Sequence, residues 1–314
     1  MRGFYRNKDR HVPLVVLLVI SLTLPYQAPA APAEPEVPRQ TQYLSHKAAL
    51  LQDYHNIATQ LHHNHDAFVV QSHVAGKSAR GTVRGLLPYS FAAVQQVMSS
   101  PSSWCQAIIL HVNVKACITT QAPPNDTRLT VYIGRTSYAP PEQATAIRYT
   151  YRIRVTQPDF IHVALRAPTG PMNTANYAID IQAIAVGDSH SFVHLTYTME
   201  LGFMARTLLR TYLATVGRNK VGFTLHASGD SQPPQYIGGI AGVVERNTMR
   251  YFFAFESYMA SRNAPAELRF LRSMQRWHDF TRKYKRQLYE IDQPTYIAQK
   301  TREQRNQRLL QGTR

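Results

Sequence analysis

Cysteine and acid are both scarce in this chain. Its 314 residues contain two cysteines, Cys105 and Cys117, and 19 Asp and Glu against 35 Lys and Arg. Two cysteines are too few for a disulfide-dense miniature scaffold or a zinc site built from four thiolates. No serine stands in a G-x-S-x-G elbow, so the common hydrolase nucleophile is missing. Glycines gather once ahead of a helix, in GGIAGVVERN with Gly238, Gly239 and Gly242, but no Lys-Ser or Lys-Thr follows and Glu245 takes the place an anion would need. A nucleotide P-loop is not expected there, and the glycines are read as points of close backbone packing. Long apolar runs are also missing, with one exception. VPLVVLLVISLTL, residues 12–24, is preceded by Arg2, Arg6, Lys8 and Arg10 and followed by Ala28-Pro29-Ala30. It is too short to span a bilayer comfortably and has the length of a signal-peptide core. Residues 1–30 are therefore expected to be a signal peptide cleaved after Ala30, which makes the chain periplasmic or secreted. An uncleaved signal would instead anchor it to the membrane.

Export decides how the two cysteines read. WCQAIILHVNVKAC, residues 104–117, has the form C-x5-H-x5-C around His111. HVNVKACI alternates Val112, Val114, Ala116 and Ile118 against His111, Asn113, Lys115 and Cys117, the period of a strand. His111 and Cys117 then share a face but stand about 20 Å apart at ~3.3 Å per residue, too far to ligate one metal ion. In an oxidising compartment a Cys105–Cys117 disulfide is expected, worth about 3 kcal/mol in the chain-entropy model, with a free buried pair as the alternative. The histidines of HHNH, residues 62–65, have no matching carboxylate run, and no metal is expected there either.

Residues 31–42 are rich in proline and alanine and read as a linker. An N-terminal helical segment is expected over 43–75, with Leu44, Ala48, Leu51, Ile57 and Leu61 as its apolar stripe. GTVRGLL (81–87) is a short strand, PYSFAAVQQVMSS (88–100) a helix, and Ser100-Pro101 starts a second helix that carries Trp104. Strands are expected over 111–119, 128–134, 145–157, 160–167, 177–186 and 192–201. In the third, Tyr149, Tyr151, Ile153 and Val155 alternate with Arg148, Arg152 and Arg154, as in an antiparallel sheet covered on one side. A helix over 203–217, a strand over 220–226, and a long helix over 238–262 with Tyr251, Phe252, Phe255 and Met259 on its apolar face follow. A last helix spans 265–291 and buries Leu268, Leu271, Met274, Trp277, Phe280, Tyr284 and Leu288. Thirteen Lys and Arg against five Asp and Glu lie within 262–314. Arg269, Arg272, Arg276, Arg282, Lys283, Lys285 and Arg286 should form a positive stripe. An exported protein would meet anionic lipid headgroups with it, and no nucleic acid.

Strand, two helices, a run of antiparallel strands and a long helix is the order of a helix-grip domain. SFAAVQQVMSSPSSWCQ resembles the START and polyketide-cyclase-like (SRPBCC) superfamily, in which a helix, a short break and a tryptophan follow the first strand. SSWCQAIILHVNVKAC, YLATVGRNKVGF, GGIAGVVERNTMRYFFAFESYM and WHDFTRKYKRQLYEID are similar to a group of uncharacterised exported bacterial proteins, from which no activity carries over. The resemblance implies an α+β fold, a curved antiparallel sheet gripping a long helix, over 76–262, with 263–314 packed on it. It also implies an apolar cavity, lined by Trp104, Tyr151, Tyr177, Tyr197 and Tyr251, for a hydrophobic or lipid-like ligand. Arg246 and Arg250, beside Glu245 and Asn247, would clamp a headgroup at its mouth; helix capping and an internal ion pair are the plainer use of the same residues. No cofactor and no catalytic residue is assigned. His162, His194, Asp180 and Glu200 lie on strands and leave a cyclase-like or dehydratase-like enzyme as the alternative, with an envelope-associated adaptor as a third reading.

Overall fold

In the computed structural model, residues 39–63, 67–122, 126–215, 217–228 and 232–313 are described. The expected signal peptide, most of the linker and residues 64–65 of the histidine run lie outside the described residues. Helix α1 (Arg39–His63) precedes strands β1 (Phe68–Ala75) and β2 (Ser78–Leu87). Helices α2 (Phe91–Met98) and α3 (Pro101–Ile108) lead to β3 (Val114–Ala122), β4 (Asp126–Ile133), β5 (Thr145–Gln157), β6 (Phe160–Thr169), β7 (Thr174–Val186) and β8 (His190–Leu201). Then come α4 (Phe203–Ala214), the ribbon β9 (Leu225–Ser228) and β10 (Gln232–Tyr236), and helices α5 (Gly239–Ser261), α6 (Ala266–Lys283), α7 (Lys285–Leu288) and α8 (Gln293–Gly312).

Strands β1 to β8 make one antiparallel sheet in the order β1-β2-β8-β7-β6-β5-β4-β3. The long helix α5 lies along β2 because GTVRG puts glycine where the two meet. A Cβ at Gly81 would stand 2.2 Å from the Thr248 hydroxyl, and one at Gly85 2.5 Å from the Phe252 ring. The inner face of the sheet packs Val83, Tyr149, Tyr151, Leu165, Ile181 and Leu195 against α2, α3 and α5. The outer face is covered as well: α1 sets Leu50, Ile57 and Leu61 on Phe160, Ile184 and Phe192. Each such buried side chain contributes roughly 1.5–3 kcal/mol.

Several expected elements change. The helical segment expected over 43–75 ends at His63, and Phe68–Ala75 is instead the edge strand β1, turned onto β2 by Gly76-Lys77 with Gly76 at φ +52°. The alternation expected after His111 breaks at a bulge. Val114 pairs with Ile133 and Ala116 with Tyr132, so Lys115 is an extra residue and the inward phase passes from Val114 to Cys117. His111 itself sits in a turn that ends as Val114 N–H donates to the His111 carbonyl at 2.9 Å. A second bulge at Arg154 moves Val155 from the inner face to the outer one and leaves Ile153 exposed. The strand expected over 220–226 begins only at Leu225, and just before it the N–H groups of Phe223 and Thr224 are taken by the Glu245 carboxylate. The last helix is broken at Tyr284 and again before Asp292, whose side chain caps α8 by accepting from Thr295 N–H at 2.9 Å. Met274, Trp277 and Leu288 are buried as expected, Leu271, Phe280 and Tyr284 half-buried, and Leu268 exposed.

Candidate functional site

The inner aromatic residues do converge, but they fill the space between sheet and helix. Trp104, on α3, donates its indole N–H to the Met98 carbonyl at 2.8 Å, and Tyr151 donates to the same oxygen at 2.6 Å. Tyr177 shares a 2.7 Å bond with Thr174, and Tyr197 lies 5.5 Å, centroid to centroid, from Tyr251 on α5. His111 lies tilted 5.2 Å, centroid to centroid, from Tyr251 and accepts from Asn113 N–H at 3.1 Å. Burial holds these groups in their neutral forms, pushing the tyrosines up and His111 well below its ordinary value. The void left among Trp104, Ile108, Ile179, Ile181, Leu195, Tyr251 and Phe255 is about 10 Å³. That is about the room for one water, so the ligand-sized cavity expected here is closed.

Arg246 and Arg250 lie one turn apart on α5, both buried. Arg250 bonds Glu290 at 2.7 Å, and Lys220 joins the same carboxylate at 3.1 Å. Arg246 donates to the Val221 carbonyl at 3.1 Å, and burial lowers it to about 10. Their bonds go to this chain's own groups. Glu245 is fully buried with four donors: the Ser72 and Thr224 hydroxyls at 2.8 and 2.7 Å, and the Phe223 and Thr224 N–H groups at 2.6 and 2.9 Å. A buried carboxylate so satisfied is an anchor. It pulls the 222–225 segment onto α5, where Gly222 and Gly242 meet backbone to backbone and a Cβ on Gly242 would stand 3.0 Å from Gly222 N.

That anchored segment forms one wall of a groove of about 660 Å³ beside edge strand β1. Phe68, Phe223 and Tyr284 supply an aromatic floor with ring centroids 5.3 to 6.2 Å apart. Ile57, Val70 and Leu225 extend it, and Gln60, Gln71, Arg84 and Gln287 rim it. Sequence reasoning missed this site because its residues come from at least five separate segments. The one local signal was Glu245, an acid in the first two turns of a largely apolar helix.

The strand residues that supported an enzyme lie on the other face. His162 bonds Asp180 at 3.0 Å, Arg166 joins it at 2.8 Å, and His194 meets Asp53 of α1 at 3.1 Å. Glu200 pairs with Lys77 at the end of the sheet. Strand alternation places all four away from the aromatic interior, because Ile161, Val163, Ile179 and Ile181 take the inward positions. Among the described residues no three His, Cys, Asp or Glu come together as a metal site. Cys105 and Cys117 are disulfide-bonded, Cα atoms 4.9 Å apart, and join α3 to β3.

No protein-family model matches the chain, and no curated protein matches it in sequence. Solved structures similar in fold include a STAR-related lipid transfer protein from Xanthomonas axonopodis, 13% identical over 63% of this chain and 96% of that one, TM-score 0.38. Others are an aromatase/cyclase from Streptomyces sp. R1128, 7% identical over 66% and 96%, TM-score 0.30, and norcoclaurine synthase from Thalictrum flavum, 10% identical over 48% and 81%, TM-score 0.31. By its strand order and the long helix packed across it, the chain is an α+β protein with an eight-stranded antiparallel sheet gripping helix α5.

Proposed function

We propose that the chain is an exported binding protein for a hydrophobic or amphipathic ligand, lipid-like in chemistry, taken up in the groove beside β1. The observation that carries this reading is the groove itself: about 660 Å³, within the ~300–1,000 Å³ of small-molecule sites, apolar at the floor and amide-rich at the rim. A tail would lie on Phe68, Phe223 and Tyr284, and a headgroup would meet Gln60, Gln71 and Arg84. The disulfide supports export, since such bonds persist in oxidising compartments. The basic stripe supports attachment to an anionic membrane. Arg272, Arg282, Lys283, Lys285 and Arg286 are exposed, whereas Arg276 is bonded to Glu256 at 2.8 Å and Arg269 is half-buried. Each charge near such a surface contributes about 1 kcal/mol, screened over ~8–10 Å in physiological salt.

The test is native mass spectrometry of protein purified from the exporting host, with extraction of whatever co-purifies, for the native chain and for Phe223→Ser with Leu225→Ser. The expected result is a bound apolar species lost from the groove variant and retained by Tyr251→Phe. Retention in the groove variant would return the site to the interior, and a native protein that carries and takes up no apolar ligand would favour the adaptor reading.

A further inference from the structure

Helix α4 has no place in the groove. It packs on the core through Ala205 and Leu209, and its other flank leaves Phe203 85%, Met204 64%, Leu208 54% and Tyr212 43% exposed. Met204, Leu208 and Tyr212 recur every fourth residue, a single stripe about 12 Å long at 1.5 Å per residue. Met172, 71% exposed in the β6–β7 connection, extends the patch, and that connection is tied to the start of α4 where Gly202 N–H donates to the Asn173 carbonyl at 3.3 Å. Scattered exposed apolar residues need no explanation; a contiguous stripe does.

Two further observations indicate what covers it. The sequence from Phe203 to Gly229 has no Asp or Glu and holds Arg206, Arg210, Arg218 and Lys220. Arg210 and Arg218 are exposed, while Lys220 is spent on Glu290. The hydroxyls on the exposed side of α4 are also turned inward: Thr207 donates to the Phe203 carbonyl at 3.0 Å, Thr211 to Thr207 at 3.1 Å and Thr215 to Thr211 at 2.8 Å. Threonine bonded back to its own helix presents methyl groups outward and leaves few donors to be satisfied by a medium that cannot accept them.

We propose that α4 is a membrane-inserting wedge, and that its occupant is an anionic lipid bilayer surface. Its apolar stripe enters the headgroup boundary and Arg210 and Arg218 meet the phosphates, the arrangement of an interfacial amphipathic helix. A second copy of the chain is disfavoured as the cover, because the segment from Phe203 to Gly229 would bring no carboxylate of its own to Arg210 and Arg218. The inference stands apart from the groove and from the C-terminal stripe.

A local reporter tests it on the full chain. Leu208→Trp places an indole on the stripe, and its emission is followed on vesicles of phosphatidylcholine with and without phosphatidylglycerol, and with brominated acyl chains as quencher. The apolar run at 12–24 can bind vesicles without affecting this signal. We expect a blue shift and quenching on the anionic vesicles. Adding Arg210→Glu and Arg218→Glu should weaken the response, and adding Phe203→Ser and Met204→Ser should weaken it roughly 100-fold, about tenfold per side chain. All these positions are exposed, so melting should be unchanged. An emission that stays water-exposed on anionic vesicles overturns the proposal. So does a blue shift that grows with protein concentration in the absence of lipid, which would identify a second copy as the occupant.

Discussion

At the β3 edge of the sheet, α8 lies along the strand and its glutamines take up the outward backbone groups. Gln307 accepts from Cys117 N–H at 2.7 Å, and Gln311 accepts from Thr119 N–H at 2.8 Å and donates to the Thr119 carbonyl at 3.0 Å. Beneath them Lys115 and Lys300 meet Glu303 at 2.9 and 2.7 Å, and both ammonium groups also bond backbone carbonyls of the 111–114 turn. At the β1 edge the described cover is far thinner: the Thr224 hydroxyl reaches the Val70 carbonyl at 2.9 Å, and the groove borders the strand from Phe68 to Gln71. An uncovered edge invites pairing with other chains, and side chains that mimic a neighbouring strand suppress it. One edge is thus closed by the chain itself, while the other keeps an aromatic surface available.

The largest expected effect breaks the closed edge. Glu303→Gln leaves two buried ammonium groups without a counter-charge, and urea unfolding should show a loss of about 3–5 kcal/mol. Replacing the triad together, as Lys115→Met, Lys300→Met and Glu303→Leu, should recover most of that loss. A triple variant as unstable as Glu303→Gln would mean that packing, not charge, holds the edge. Reduction of Cys105–Cys117, or Cys105→Ser with Cys117→Ser, removes the staple between α3 and β3 and should cost about 3 kcal/mol in the same assay.

The closed edge should also carry a pH signature. Burial lowers Lys300 from 10.5 to about 8, so across that window the unfolded chain binds more protons than the folded one. Stability should therefore rise from pH 8 towards pH 10, and the contribution is lost as pH falls through 8. Lys300→Met should flatten that rise, read from thermal melts across the range. Above pH 10 the buried tyrosines reverse the slope, because their raised values keep protons on the folded chain that the unfolded chain has released. The smallest expected change in stability is at the open edge. Phe223→Ser should move the melting point little and abolish ligand retention, whereas Gln307→Ala with Gln311→Ala should cost about 1 kcal/mol per bond and promote aggregation. Equal effects on stability from Phe223→Ser and from the glutamine pair would erase the contrast between the edges.

Legibility followed the range of the interaction. The strand at 145–157 was readable because Tyr149 and Tyr151 alternate with charge, and the 239–261 helix because its aromatic residues recur at helical spacing. The aromatic set of the interior was also readable, but not its packing to about 10 Å³, since volume depends on how Trp104, Tyr251 and Phe255 meet across three elements. The groove was illegible: Ile57, Phe68, Phe223 and Tyr284 have no common period.

By itself the sequence determined the run of strands from β3 to β8, the pairing of the only two cysteines, and the apolar faces of β5 and α5, because hydrophobic period and residue scarcity are local properties. Only the tertiary structure decided which way each face points and what covers it. The bulges at Lys115 and Arg154 exist only against partner strands, and they turn Cys117 inward to Cys105 and Val155 outward to α1. Lys115 reads locally as a wet-face lysine, yet α8 returns nearly two hundred residues later to bury it against Glu303.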